Sequence, residues 1–118
     1  MTDLERFKSI FSGLDIAYGQ TKRTDEFDER GKHKTRSFII KKQPSDKLWR
    51  DHLSGVEPAL GIIPINHESK CKWACIDIDV YPVDHQQLLN KIKEKKLPLT
   101  VIRSKSGGAH CFLFTDTF

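Results

Sequence analysis

The sequence predicts an α+β fold, a small N-terminal αβ unit packed on a β-α-β-β sheet. Three observations lead there. Apolar residues recur at helical spacing in three short capped segments, near residues 2–12, 45–54 and 84–96. Short apolar runs at 37–42, 60–65, 72–81, 99–105 and 109–115 have the length and flanks of strands. The last third reads strand, helix, strand, tight turn, strand. That order makes a right-handed crossover between two neighbouring or near-neighbouring parallel strands and then adds an antiparallel one.

Each element has a local reason. Thr2 and Glu5 form a capping box, Leu4, Phe7, Ile10 and Phe11 make an apolar stripe, and Gly13 ends the first helix. Residues 19–36 are polar without periodicity and read as a loop or ragged hairpin. Ser37–Lys42, SFIIKK, reads as a strand. Ser45 caps a second helix through Leu48, Trp49 and Leu53, stopped by Gly55. Leu60–Ile65, LGIIPI, reads as a strand with Pro64 near its end, which suits an edge or exit position because proline cannot donate to a ladder. Lys72–Tyr81 is a strand stopped by Pro82. Asp84 caps a third helix through Leu88, Leu89 and Ile92, and lysines gather at its C-terminal end as the helix dipole favours. Leu99–Lys105 and Ala109–Thr115 flank SGG, a tight hairpin signal.

At 118 residues the chain has room for one domain. It divides into an N-terminal αβ unit over 1–66 and a sheet unit over 70–118. A split βαβ unit normally continues to a further helix and strand, so the sequence reads as the front part of a domain, cut before its final elements. No apolar run approaches the roughly 18 residues of a membrane span, and MTDLERFKS lacks a signal region, which argues against membrane insertion and export. The cysteines, Cys71, Cys75 and Cys111, are too few for a disulfide framework and fit a reducing cytoplasm. The net charge of +4 leans toward polyanionic partners. Lys22, Arg23, Arg30, Lys32, Lys34, Arg36, Lys41 and Lys42 are concentrated in one region, either a solvated edge or a phosphate-facing surface.

Two stretches could carry chemistry. In CIDIDVY, strand alternation puts Ala74, Ile76, Ile78 and Val80 on one face, ready for the Leu88, Leu89 and Ile92 stripe. Trp73, Cys75, Asp77 and Asp79 fall on the other. Asp77 and Asp79 then lie roughly 6.5 to 7 Å apart, a spacing at which two carboxylates converge on divalent cations. Surface acids at a strand end are the simpler explanation when the pair stands alone. In RSKSGGAH, Gly107 and Gly108 let the backbone approach a ligand, and successive turn N–H groups can form an anion nest. Arg103 and Lys105 add charge, Ser104 and Ser106 add hydroxyls, and His110 opens the next strand on a face shared with Phe112 and Phe114. An acid pair to hold cations and a basic turn to hold phosphates complement each other.

In order and spacing these stretches resemble the archaeo-eukaryotic primase superfamily. DHLSG, GIIPI, WACIDIDVY and RSKSGGAH look most like the primase-polymerase domains of TOTE-type conflict systems and of related phage and plasmid proteins. The resemblance runs from about Phe11 to Phe114. It implies an RRM-like catalytic sheet and template-directed nucleotidyl transfer by a two-metal mechanism, as a DNA primase or polymerase. Asp77 and Asp79 would bind Mg²⁺ or Mn²⁺. His110 would contact the incoming nucleotide, with Lys105 and Ser106 near its phosphates and Arg103, Ser104, Gly107 and Gly108 around them. Lys34 and Arg36 would touch nucleic acid. The implied partners are nucleoside triphosphates, a single-stranded DNA template and a helicase or other replication domain in the parent protein. The family also has a third acid on a later strand. Asp116, the only acid after His110, stands too near the chain's end to be it.

Three other readings stay open at this point. VIRS could be the serine strand of a HAD-type phosphohydrolase, although the flanking residues that family needs are missing. His67, Cys71 and Cys75 have zinc-ligand spacing without an evident fourth ligand. An RRM-like sheet exposing Trp73, Phe112 and Phe114 could bind single strands with no reaction, although two acids on its face would repel phosphate.

Overall fold

Thr2 starts the first helix as its sequence requires. Its hydroxyl accepts the Glu5 N–H at 3.2 Å, and the Glu5 carboxylate accepts the Thr2 N–H at 2.7 Å. The computed structural model describes residues 1–118 and divides into two compact units, Met1–Cys71 and Lys72–Phe118.

The first unit contains helices α1 (Asp3–Ile10) and α2 (Asp46–Leu53) and strands β1 (Tyr18–Phe27), β2 (His33–Ile40) and β3 (Ala59–Gly61). Its sheet has the order β2-β1-β3, antiparallel throughout. Ser45 caps α2 by accepting the Leu48 N–H, and Lys8 reaches the Asp46 carboxylate at 2.5 Å, joining the two helices. Register sets Tyr18 opposite Ile40, and Gln20 opposite both Phe38 and Leu60. Tyr18, Ile40 and Leu60 therefore share a face. They pack with Trp49, Leu4, Phe7, Phe11, Leu48 and Ile62 as the unit's core, in which Phe7 meets Trp49 edge-on at 5.5 Å.

Two boundaries differ from the sequence reading. The polar stretch after Gly19 is a long hairpin whose register shifts between Arg23 and Phe27. Its strands are largely exposed, so the apolar alternation that marks a half-buried strand is missing. Conversely, LGIIPI pairs only as far as Gly61. Pro64 supplies no donor, and the Ile63 carbonyl is taken by the Leu14 N–H at 2.9 Å.

The second unit holds β4 (Trp73–Ile78), α3 (His85–Glu94), β5 (Thr100–Arg103) and β6 (Ala109–Phe114). Its sheet order is β4-β6-β5 with both pairings antiparallel, so β4 and β5 are parallel to each other with β6 between them. This is the α+β class predicted, with the expected near-neighbour crossover. Asp84 caps α3 by accepting the Gln87 N–H. Burial is deepest at Ile92 of α3 and at Ala109 and Cys111 of β6. The expected apolar face of β4 is covered only in part. Ile78 is half-buried, Ala74 is exposed, and Ile76 and Val80 are 57% and 82% exposed. The cause is position in the sheet: β6 has a strand on either side, whereas β4 is an edge.

Candidate active site

The second unit gathers most of the predicted site at one end of its sheet. Register sets Asp77 directly opposite His110, with Ile102 of β5 opposite His110 on its other side. Directly opposed residues share a face, and His110 Nε2 lies 3.5 Å from Asp77 Oδ1. The Phe112 ring stands edge-on to the imidazole at 6.1 Å and stacks on Phe114 at 5.4 Å. An aromatic row thus supports the histidine from the middle of the same face.

Asp79 lies outside this ladder. The hydrogen-bonded run of β4 stops at Ile78, one residue short of Asp79, so simple alternation does not place it. Its carboxylate instead accepts the Tyr81 hydroxyl at 3.3 Å. The same Tyr81 oxygen lies 2.7 Å from Ser106 Oγ, which is 3.5 Å from Ser104 Oγ. A chain of polar contacts therefore runs from the acid at the end of β4 to the serines of the β5–β6 turn. Tyr81 was not among the site residues found in the sequence. The only signal was a phenol two residues beyond the second acid.

The turn spans Ser104–Gly108. It is closed by the Ser104 N–H donating to the Gly108 carbonyl at 3.1 Å and the Gly107 N–H donating to the Ser104 carbonyl at 3.0 Å. The N–H groups of Lys105 and Ser106 donate to no backbone carbonyl, which leaves them available as an anion nest. Gly107 has φ +89° with open space around it, so backbone conformation requires glycine there. Gly108 serves a different end. A Cβ on it would lie 2.5 Å from the Ile78 carbonyl oxygen, 3.0 Å from Ser104 Oγ and 3.3 Å from the Tyr81 hydroxyl. The missing side chain lets the turn seat on the end of β4, a protein contact rather than the ligand approach expected from sequence. His85 of α3 fixes the same point, its Nε2 being 2.8 Å from the Gly108 carbonyl oxygen.

Other predicted residues fall elsewhere. Arg103 pairs with Ala109 and so takes the sheet face opposite to His110. Lys105 is exposed on the turn. Lys34 and Arg36 belong to β2 in the first unit. No group of three or more His, Cys, Asp or Glu side chains is arranged to hold a metal ion. The donors present are the two carboxylates. These suit Mg²⁺ or Mn²⁺, since Mg²⁺ is commonly held by one or two carboxylates together with substrate phosphates. Burial, reinforced by the charge of Asp77, pushes the Cys75 thiol up, which works against a thiolate ligand on this face.

Fold and site together define an α+β domain that presents acids, a histidine and a basic glycine turn at one end of a β-α-β-β sheet. The family follows from comparison with known proteins. Residues 18–117 match the archaeo-eukaryotic primase domain of the TOTE conflict system, and the chain belongs to that family. The family lies within the nucleotidyltransferases and implies nucleotide and nucleic-acid substrates. No curated relative and no solved structure shows significant similarity to the chain. No helix is long and apolar enough to cross a membrane.

Proposed function

We propose that the second unit carries the nucleotide-binding and metal-binding part of a primase-polymerase site for template-directed nucleotidyl transfer. The observation that carries this reading is the convergence of Asp77, His110, Asp79 and the Ser104–Gly108 turn through the contacts of Tyr81 and the β4–β6 register. Asp77 and Asp79 hold the cation, and Mg²⁺ or Mn²⁺ bound there supplies charge neutralisation and alignment of the triphosphate. The free N–H groups of Lys105 and Ser106, with the Lys105 ammonium, receive phosphate oxygens. His110 donates from its imidazole to the nucleotide, with Asp77 facing it across the strand pair at 3.5 Å. Tyr81 holds the acid end of β4 and the serine turn at a fixed separation.

A titration of a fluorescent dNTP analogue tests the proposal. Binding should require Mn²⁺, vanish in EDTA and fall at least tenfold in Asp77→Ala/Asp79→Ala, as expected when a charge-assisted contact is lost. Binding indifferent to both metal and acids would refute it. Strong single-strand binding alone would leave a non-catalytic nucleic-acid module.

A further inference from the structure

The β5–β6 turn owes its shape to neighbours outside it. Gly107 and Gly108 stand side by side there, and a glycine pair leaves the adjoining peptide planes free to rotate. A nest works only when its N–H groups point at one spot. A loose turn would have to be ordered by the anion itself, which weakens binding. Two contacts remove that freedom, and both come from the segment that joins β4 to α3. The Tyr81 hydroxyl lies 2.7 Å from Ser106 Oγ. Four residues on, His85 Nε2 lies 2.8 Å from the Gly108 carbonyl oxygen.

A carbonyl oxygen only accepts, so Nε2 carries the hydrogen and donates it. The same oxygen accepts the Ser104 N–H at 3.1 Å, the bond that closes the turn. His85 therefore fixes the acceptor on which closure depends. The Gly108 carbonyl belongs to the peptide that leads into Ala109, a fully buried residue paired with Ile78 of β4 and Arg103 of β5. Its direction sets the step from the turn into β6, whose second residue is His110. The imidazole has a firm base of its own. His85 is half-buried and is the first residue of α3, directly after the N-cap Asp84, whose carboxylate accepts the Gln87 N–H at 3.0 Å. A side chain on the first turn of a capped helix is a rigid support for a site.

We propose that His85 is a positioning residue for nucleotide binding. By donating to the Gly108 carbonyl, it holds the turn in the form that presents the Lys105 and Ser106 N–H groups and the His110 ring to a triphosphate. It acts through Gly108 and touches no phosphate. The inference rests on the proposed nucleotide site and adds to it a dependence on α3.

Two substitutions at this position separate the donor from the ring. His85→Gln can place an amide N–H where the histidine donor stands, whereas His85→Asn is one methylene shorter and falls short of Gly108. Titration of a fluorescent dNTP analogue with Mn²⁺ should give wild-type affinity for His85→Gln. His85→Asn should bind about fivefold more weakly, the value of one hydrogen bond. Binding of Mn²⁺ alone, read by electron paramagnetic resonance, should be the same in all three proteins, because the aspartates do not depend on the turn. Amide hydrogen exchange without metal or nucleotide should speed up at Ser104 and Gly107 in His85→Asn only. A substitution that merely destabilised the unit would speed exchange along all of β6 as well. The inference is overturned if His85→Asn binds dNTP as wild type does, if His85→Gln fails to restore binding, or if exchange at Ser104 and Gly107 is unchanged in His85→Asn. A wild type that binds no dNTP overturns the proposed site and the inference with it, a result distinct from equal binding by wild type and His85→Asn.

Discussion

Replacing Gly108 by alanine adds one carbon at the point where the β5–β6 turn meets β4. That carbon would sit 2.5 Å from the Ile78 carbonyl oxygen and 3.0 Å from Ser104 Oγ. Ser104 can rotate away, but the Ile78 carbonyl belongs to the strand and moves only with it. Overpacking of this kind costs about 1–3 kcal/mol. Unfolding entropy near 2.1 cal/mol/K per residue gives roughly 250 cal/mol/K for a chain of this length, so the melting temperature should fall by about 4–12 °C. Gly107→Ala is the control. It meets nothing within 4 Å but must hold φ near +89°, at a cost of about 1–2 kcal/mol that leaves β4 where it is. In thermal melts followed by circular dichroism, both variants should lose stability. In nucleotide titrations, Gly108→Ala should lose affinity beyond its unfolded fraction, because it displaces the strand end that carries Asp79. A Gly108→Ala protein that melts within about a degree of wild type would refute the close seating of the turn.

Further outcomes follow from other contacts. Tyr81→Phe keeps the ring and removes the hydroxyl that links Asp79 to Ser106. Titration should show nucleotide affinity falling about fivefold, the value of one hydrogen bond, with little change in melting temperature. Trp49→Ala removes the most buried large side chain of the first unit and should cost about 3–5 kcal/mol in urea unfolding. The Lys8 ammonium, by hydrogen bond and then by charge, holds the Asp46 carboxyl below its ordinary range. Its folded pKa therefore lies below the unfolded one, and its contribution is present above the unfolded value and lost as pH falls through the folded one. Asp46→Asn should lower the melting temperature at neutral pH, should match wild type in strong acid, and should differ less at high salt.

Much of the fold was written in local chemistry. The capping box at Thr2, the caps Ser45 and Asp84, and the strand–helix–strand–strand order needed only neighbours in sequence, and all three helices formed where these signals stood. The polar hairpin was harder to read, because its strands are too exposed to show alternation. In the site, Asp77 and His110 were recognisable as residue types in a familiar order. Their direct opposition depended on the β4–β6 register, which no short stretch encodes. Tyr81, read as the end of a strand, and Gly108, read as a glycine for ligand approach, act through contacts between chain segments about 25 to 30 residues apart. The exposure of Ile76 had the same origin: edge or centre is a property of the assembled sheet.

A single nucleotide site shared by the acids of β4 and the β5–β6 turn can be tested most directly by NMR line broadening on adding Mn²⁺ with a nonhydrolysable dNTP. The shared site predicts selective broadening of the Asp77, Asp79, Lys105, Ser106 and His110 amides in wild type, lost in Asp77→Ala/Asp79→Ala. Broadening that leaves the turn untouched, or that persists without the two aspartates, would contradict it.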